Sequence, residues 1–139
     1  MIDFISEEIL KFLKNKKNTK VFILGFAFKG RPVTSDIRGS TAVSLVSKIK
    51  GKVGSIYSYD PAVTVKDIKN NGAIPILKPS QGFKSADVVV VMNNNPDFEK
   101  LDIRQLLKLS KKPVFLFDTW GIFSGGDLSK IENVTYKHL

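Results

Sequence analysis

Two hydrophobic patterns alternate along the chain. Short unbroken apolar runs, Val21-Phe-Ile-Leu24, Val88-Val-Val-Val91 and Val114-Phe-Leu-Phe117, are too short for helices and too continuous for strands with one wet face. They predict strands buried on both sides, each ending in a polar or glycine-rich segment. Between them, apolar residues recur every three or four positions. Ile5, Ile9, Phe12 and Leu13 predict an N-terminal helix, with Ser6 as its cap before Glu7 and Glu8. Ala42, Val43, Leu45, Val46 and Ile49 predict a second helix behind a Ser40 cap, ended by Gly51. A third, over Lys66–Asn71, stops at Gly72, and a fourth spans Leu101–Leu109. Ser80–Ser85 reads as a turn or helical piece. Val53–Tyr59, Ala73–Leu77 and Val134–Tyr136 complete the strands. This alternation predicts an α/β fold: a doubly wound, mostly parallel sheet with helices on both faces, preceded by one N-terminal helix.

Composition narrows the chemistry. A length of 139 residues suits one domain, and 42% hydrophobic with 25% charged residues supports a packed core. The chain has no cysteine, which excludes a catalytic thiol, a disulfide scaffold and cysteine-ligated metal within it. The one histidine, His138, sits next to the end and is assigned no role, so no metal site is expected. No run is long and apolar enough for a bilayer, and the acidic start lacks the features of a signal peptide. A soluble, cytoplasmic protein with no membrane partner is the expectation. The net charge of +9 fits either an anionic partner (nucleic acid, phosphate or nucleotide) or a solvated lysine surface. The lysines are scattered over Lys14–Lys20, Lys48–Lys52, Lys66–Lys69 and Lys108–Lys112, without aromatic interleaving. A basic nucleic-acid or anion-binding module is therefore the alternative rather than the leading reading.

In an open parallel sheet, ligands bind beyond the carboxyl ends of the strands, so the residues after each run matter most. After the first run stands Gly25-Phe-Ala-Phe28-Lys29-Gly30-Arg31. The glycine spacing is neither G-x-G-x-x-G nor a phosphate loop, and Pro32 removes a backbone donor. No cofactor-binding residue is assigned. Lys29 is placed to reach an anionic or hydroxyl-rich ligand, or to be a surface lysine. Asp36 and Arg38 read as an ion pair that, with the Ser40 cap, pins the loop. Asp60 stands where an acid binds a ribose in nucleotide folds, and equally begins an Asp-Pro turn. Trp120 could stack on a base, pack on a sugar, or fill the interior.

These segments together resemble the C-terminal domain of the UDP-glucose/GDP-mannose dehydrogenase family. The resemblance rests on Gly25-Phe-Ala-Phe28-Lys29, Thr34-Ser35-Asp36-Ile37-Arg38-Gly39-Ser40, Tyr59-Asp60-Pro61, Ala86-Asp87 with its valine run, Phe98 with Leu101, and Phe117-Asp118-Thr119. It covers the chain from about residue 20 onward. The Asp118–Phe123 run resembles the UDP-N-acetylmannosamine and N-acetylglucosamine branch. Thr34-Ser35-Asp36 departs from the family's T-D-D, and Asn93-Asn94-Asn95 from its usual loop.

The resemblance implies a Rossmann-like domain that binds a UDP-sugar for an NAD-dependent 6-dehydrogenase, an oxidoreductase making UDP-uronic acids for polysaccharide synthesis. It implies that NAD and the catalytic cysteine belong to another domain, so that this chain alone is not catalytically complete and carries no catalytic residue. Phe28 and Lys29 fall on substrate-contacting positions. Arg38 falls on the motif arginine that orders the loop, and Trp120 on a substrate-contacting arginine. Residues 1–19 would be the tail of a central helix through which copies pair as a homodimer, and residues 20–139 the UDP-sugar-binding domain.

Overall fold

The computed structural model describes all 139 residues. Six strands, β1 (Lys20–Leu24), β2 (Ser55–Tyr59), β3 (Ile74–Pro75), β4 (Val88–Val91), β5 (Val114–Asp118) and β6 (Val134–His138), form one sheet in the order β3-β2-β1-β4-β5-β6. Every neighbouring pair is parallel. Five α-helices accompany them: α1 (Ile2–Leu13), α2 (Thr41–Ile49), α3 (Val65–Asn70), α4 (Pro79–Phe83) and α5 (Ile103–Leu109). The expected doubly wound architecture is therefore present.

Both faces of the sheet are buried, which is why its strands read as unbroken apolar runs. Val21, Ile23, Val88, Val90, Phe115 and Phe117 face α1, α2 and α3. Phe22, Leu24, Val89, Val91, Val114 and Leu116 face α4, α5 and the short 3-10 turns of the C-terminal half. Gly82 marks how closely α4 approaches: a Cβ there would lie 2.3 Å from the Phe22 ring.

Local chemistry sets the ends of the elements. The Ser40 hydroxyl accepts from the Val43 N–H (3.3 Å), the expected cap of α2. Thr64 and Asp102 cap α3 and α5 in the same way. Ser6 is not a cap. The α1 helix begins a full turn earlier, at Ile2, and the Ser6 hydroxyl donates to the Asp3 carbonyl inside it. The strand expected from Val53 starts at Ser55, because Gly54 lies flush against the Thr19 backbone. Pairing in the strand expected over Ala73–Leu77 is limited to Ile74–Pro75, where an edge position tolerates proline.

The apolar stripe of α1, Ile5, Ile9, Phe12 and Leu13, turns toward the chain's own sheet. Ile5, Ile9 and Leu13 are buried in the chain's own core, each contributing about 1.5–3 kcal/mol by burial. Phe12 packs on Phe115 with ring centres 5.3 Å apart, and Phe4 meets Phe117 edge-on at 6.2 Å. The helical period found the apolar face, and the chain's own sheet supplies its partner.

Candidate functional site at the carboxyl edge of the sheet

The register aligns the strand ends. Tyr59, Leu24, Val91, Asp118 and His138 lie in one row across β2, β1, β4, β5 and β6. The segments that follow them therefore emerge side by side, as the sequence predicts. The strand order reverses between β1 and β4, and a crevice at such a reversal is the natural ligand position.

Here that crevice is closed by side chains. Asp60, nearly fully buried, accepts from the N–H groups of Phe26 (2.8 Å) and Ala27 (2.9 Å) and from the Asn93 amide (3.0 Å) through one oxygen. Its other oxygen accepts from Ala62 N–H (2.9 Å). The Asn93 amide also donates to the Ala27 carbonyl, and its oxygen accepts from Asn95 N–H. Of the two readings of Asp60, the structure thus shows a buried clamp on the β1 loop, with its oxygens used by protein donors.

The two glycines of that loop have separate reasons. Gly25 adopts φ +97° beneath the Asn93 side chain, a conformation an L side chain resists. Gly30 passes so close to the next loop that a Cβ would lie 2.1 Å from Asn95 N. Ser40 ties the far end, its hydroxyl donating to the Phe26 carbonyl (2.8 Å). Arg31 pairs with Glu99 (2.8 Å), joining the loop to the 3-10 turn Pro96–Lys100.

On this braced loop the four singled-out residues lie as follows. Phe28 is exposed, with its N–H donating to the Asp36 carbonyl (2.8 Å). The half-buried Lys29 places its ammonium 5.4 Å from the Phe28 ring centre. Arg38 is turned to solvent and grips Asp36 with two nitrogens, Nε at 3.0 Å and Nη2 at 2.9 Å. This pairing holds the Asp36 carboxyl down at about 2, below its ordinary 3.8. Trp120 is about half exposed on the loop after β5, its indole N–H donating to the Met92 carbonyl (3.3 Å). The loop carrying Phe28 and Lys29 thus meets the Met92–Asn95 segment at Ala27 and Gly30, Trp120 meets it at Met92, and Arg38 is tied to that loop through Asp36.

Two features escaped the sequence reading. The asparagine triplet appeared only as a loop, yet Asn93 is fully buried and wires three segments together. Consecutive polar residues directly after a buried strand were the available signal. Below Trp120, buried Asp118 accepts from Phe123 N–H (2.8 Å) and the Tyr136 hydroxyl (2.7 Å) through Oδ2, while Oδ1 has no partner. Burial first, and then this bond to a carboxylate, push the Tyr136 phenol well above its ordinary range.

An all-parallel sheet in the order 3-2-1-4-5-6, with a braced loop at its reversal point, defines a Rossmann-like nucleotide-binding module. Residues 22–125 match the model of the UDP-glucose/GDP-mannose dehydrogenase family, UDP binding domain, and the chain belongs to that family. UDP-glucose 6-dehydrogenase 4 of Arabidopsis thaliana is 27% identical, over 96% of this chain and 32% of that protein. A solved UDP-D-ManNAc dehydrogenase from Pyrococcus horikoshii superimposes with a TM-score of 0.77 at 20% identity, over 99% of this chain and 30% of that one. A UDP-N-acetyl-mannosamine dehydrogenase from S. aureus gives 0.74 at 21% identity, over 99% of this chain and 29% of that one. The chain spans about a third of the length of the curated relatives it matches. No helix is long and apolar enough to cross a membrane.

Proposed function

We propose that this chain is the UDP-sugar-binding part of an NAD-dependent UDP-sugar 6-dehydrogenase, a cytoplasmic enzyme making UDP-uronic acids for polysaccharide synthesis. The observation that carries the proposal is the β1 loop. Its backbone is locked by Asp60, Asn93 and Ser40, so Phe28 and Lys29 are presented at the carboxyl edge without freedom to withdraw. Pre-ordering of this kind lowers the entropy lost on binding. The Phe28 ring offers a flat apolar face for a base or sugar, and the Lys29 ammonium a charge for the diphosphate. Trp120, across the Met92–Asn95 segment, offers a second flat surface, its one N–H being held by the Met92 carbonyl. Arg38 acts indirectly, by holding Asp36 and with it the descent into α2.

The crevice of this chain does not fit NAD. The Asn93 side chain fills the reversal point, Gly30 is pressed on Asn94 and Asn95, and Asp60 is buried with both oxygens already bonded to protein donors. In this reading the dinucleotide and the thiol nucleophile belong to the part of the longer protein outside this chain. Residues 20–139 are the binding domain, and residues 1–19 the end of a helix leading from that part. Pairing of two copies as a homodimer would use the outward side of α1 together with Met1 before it and the exposed edge of the Phe4 ring, since Ile5, Ile9 and Leu13 are spent on the core. The sugar is of the N-acetylhexosamine or glucose kind, the Asp118–Phe123 run favouring the first.

Isothermal titration of UDP into the 139-residue chain tests the proposal. Micromolar-range binding that weakens with added salt is expected. Lys29→Ala should weaken it about tenfold or more, the worth of one charge-assisted contact. No heat from UDP or UDP-sugars in a folded sample overturns it.

A further inference from the structure

A sizeable cavity lies at the opposite end of the molecule. It holds about 680 Å³ at the amino-terminal edge of the sheet, among the end of α1, the link to β1, and the segments leading into β4 and β5. That volume falls within the range of small-molecule sites. Its floor is apolar, built by Phe12, Leu13 and Phe115, with the two rings 5.3 Å apart.

Its rim is cationic. Lys11, Lys14, Lys16, Lys111, Lys112 and Lys137 line it, against only two carboxylates, Glu8 and Asp87. Both acids are already engaged. Glu8 pairs with Lys137. Asp87 accepts from the Lys20 N–H (2.8 Å) and lies 4.0 Å from the Lys111 ammonium. Lys14 and Lys16 pair with no carboxylate, and Lys11 faces only Glu8, which is already bridged to Lys137. Lys112 points inward to the Leu107 carbonyl (2.7 Å), and burial pulls its ammonium below the ordinary lysine value. The carboxyl end of α1 adds about half a negative charge, too little to balance these cations.

Unpaired like charges held around one recess repel each other and are relieved by an anion. A long nucleic acid asks for an extended basic surface, whereas this recess is compact with an aromatic floor. We infer that the recess binds a small organic anion carrying a phosphate-like group on an aromatic or otherwise apolar body. This site is separate from the carboxyl-edge loops and does not depend on the function proposed for them.

Phenyl phosphate, inorganic phosphate and phenol serve as probes, titrated into the 15N-labelled 139-residue chain at constant ionic strength. Saturable amide shifts are expected at Leu13, Lys14, Lys16, Thr19, Lys112 and Thr135, with phenyl phosphate binding about fivefold or more tighter than either other probe. The double variant Lys16→Gln/Lys111→Gln should weaken it about tenfold, and Lys66→Gln/Lys69→Gln, on α3 at the far edge, should not. Phosphate binding as tightly as phenyl phosphate overturns the inference. So do shifts spread over all the lysines, shifts confined to the 25–31 and 118–123 loops, or equal weakening by the two double variants.

Discussion

Replacing Asp60 by alanine removes the clamp at the sheet's reversal point. Four hydrogen bonds vanish, from Phe26 N–H, Ala27 N–H, Ala62 N–H and the Asn93 amide. The Asn93 amide keeps the Ala27 carbonyl as an acceptor (3.2 Å), and Ala62 is only half-buried. Phe26 and Ala27 are buried, and their N–H groups would be orphaned. Each orphan costs about 1–3 kcal/mol, or about 2–6 kcal/mol for the two. Removing a buried carboxylate with no cation beside it returns part of that, since burying the charge was itself unfavourable. A net loss of about 3 kcal/mol is expected, a large share of a total stability of about 5–15 kcal/mol. Urea unfolding followed by circular dichroism reads it directly. With a slope of about 1.5–2 kcal/mol per molar, the midpoint should fall by about 1.5–2 M. Asp60→Asn retains an acceptor for the loop amides and should lose less, about 1–2 kcal/mol. A midpoint for Asp60→Ala within 0.3 M of the parent, by the same slope, would refute the clamp.

Gly30→Ala drives a Cβ into the Asn95 backbone and should destabilise the chain by about 1–3 kcal/mol, whereas Gly125→Ala, with open space around it, should be within about 0.5 kcal/mol; thermal unfolding of the two compares them. The single, half-exposed Trp120 should change its fluorescence when UDP is added, and Lys29→Ala should move that titration to higher UDP concentrations without altering the starting spectrum. The Asp36 carboxyl should titrate by NMR near pH 2, and Arg38→Ala should return it toward 3.8. Because the folded value is depressed, any stability the pair adds is present above about pH 4 and lost as pH falls toward 2. Gly82→Ala should cost about 1–3 kcal/mol by forcing α4 off the Phe22 ring, with unfolding midpoints as the readout.

The sequence by itself determined the class of fold, because burial on both faces leaves a mark that needs no neighbours. Val88–Val91 and Val114–Phe117 are apolar at every position, and only a covered parallel strand requires that. The Ser40 cap and the Asp36–Arg38 pair were equally legible, since donor and acceptor lie within three residues. Tertiary structure alone decided what depends on distant partners. Asp60 and Asn93 stand 33 residues apart, yet they meet because β2, β1 and β4 end in one row, and that meeting turned a possible ribose-binding acid into a loop clamp. The apolar face of α1 was readable, but not that this chain's own β5 covers it. Lysines scattered along the chain gave no hint that six of them ring one recess, because α1 and the segment before β5 are brought together only by packing on the same sheet. A local pattern records what a residue needs from its surroundings; the fold decides which residues supply it.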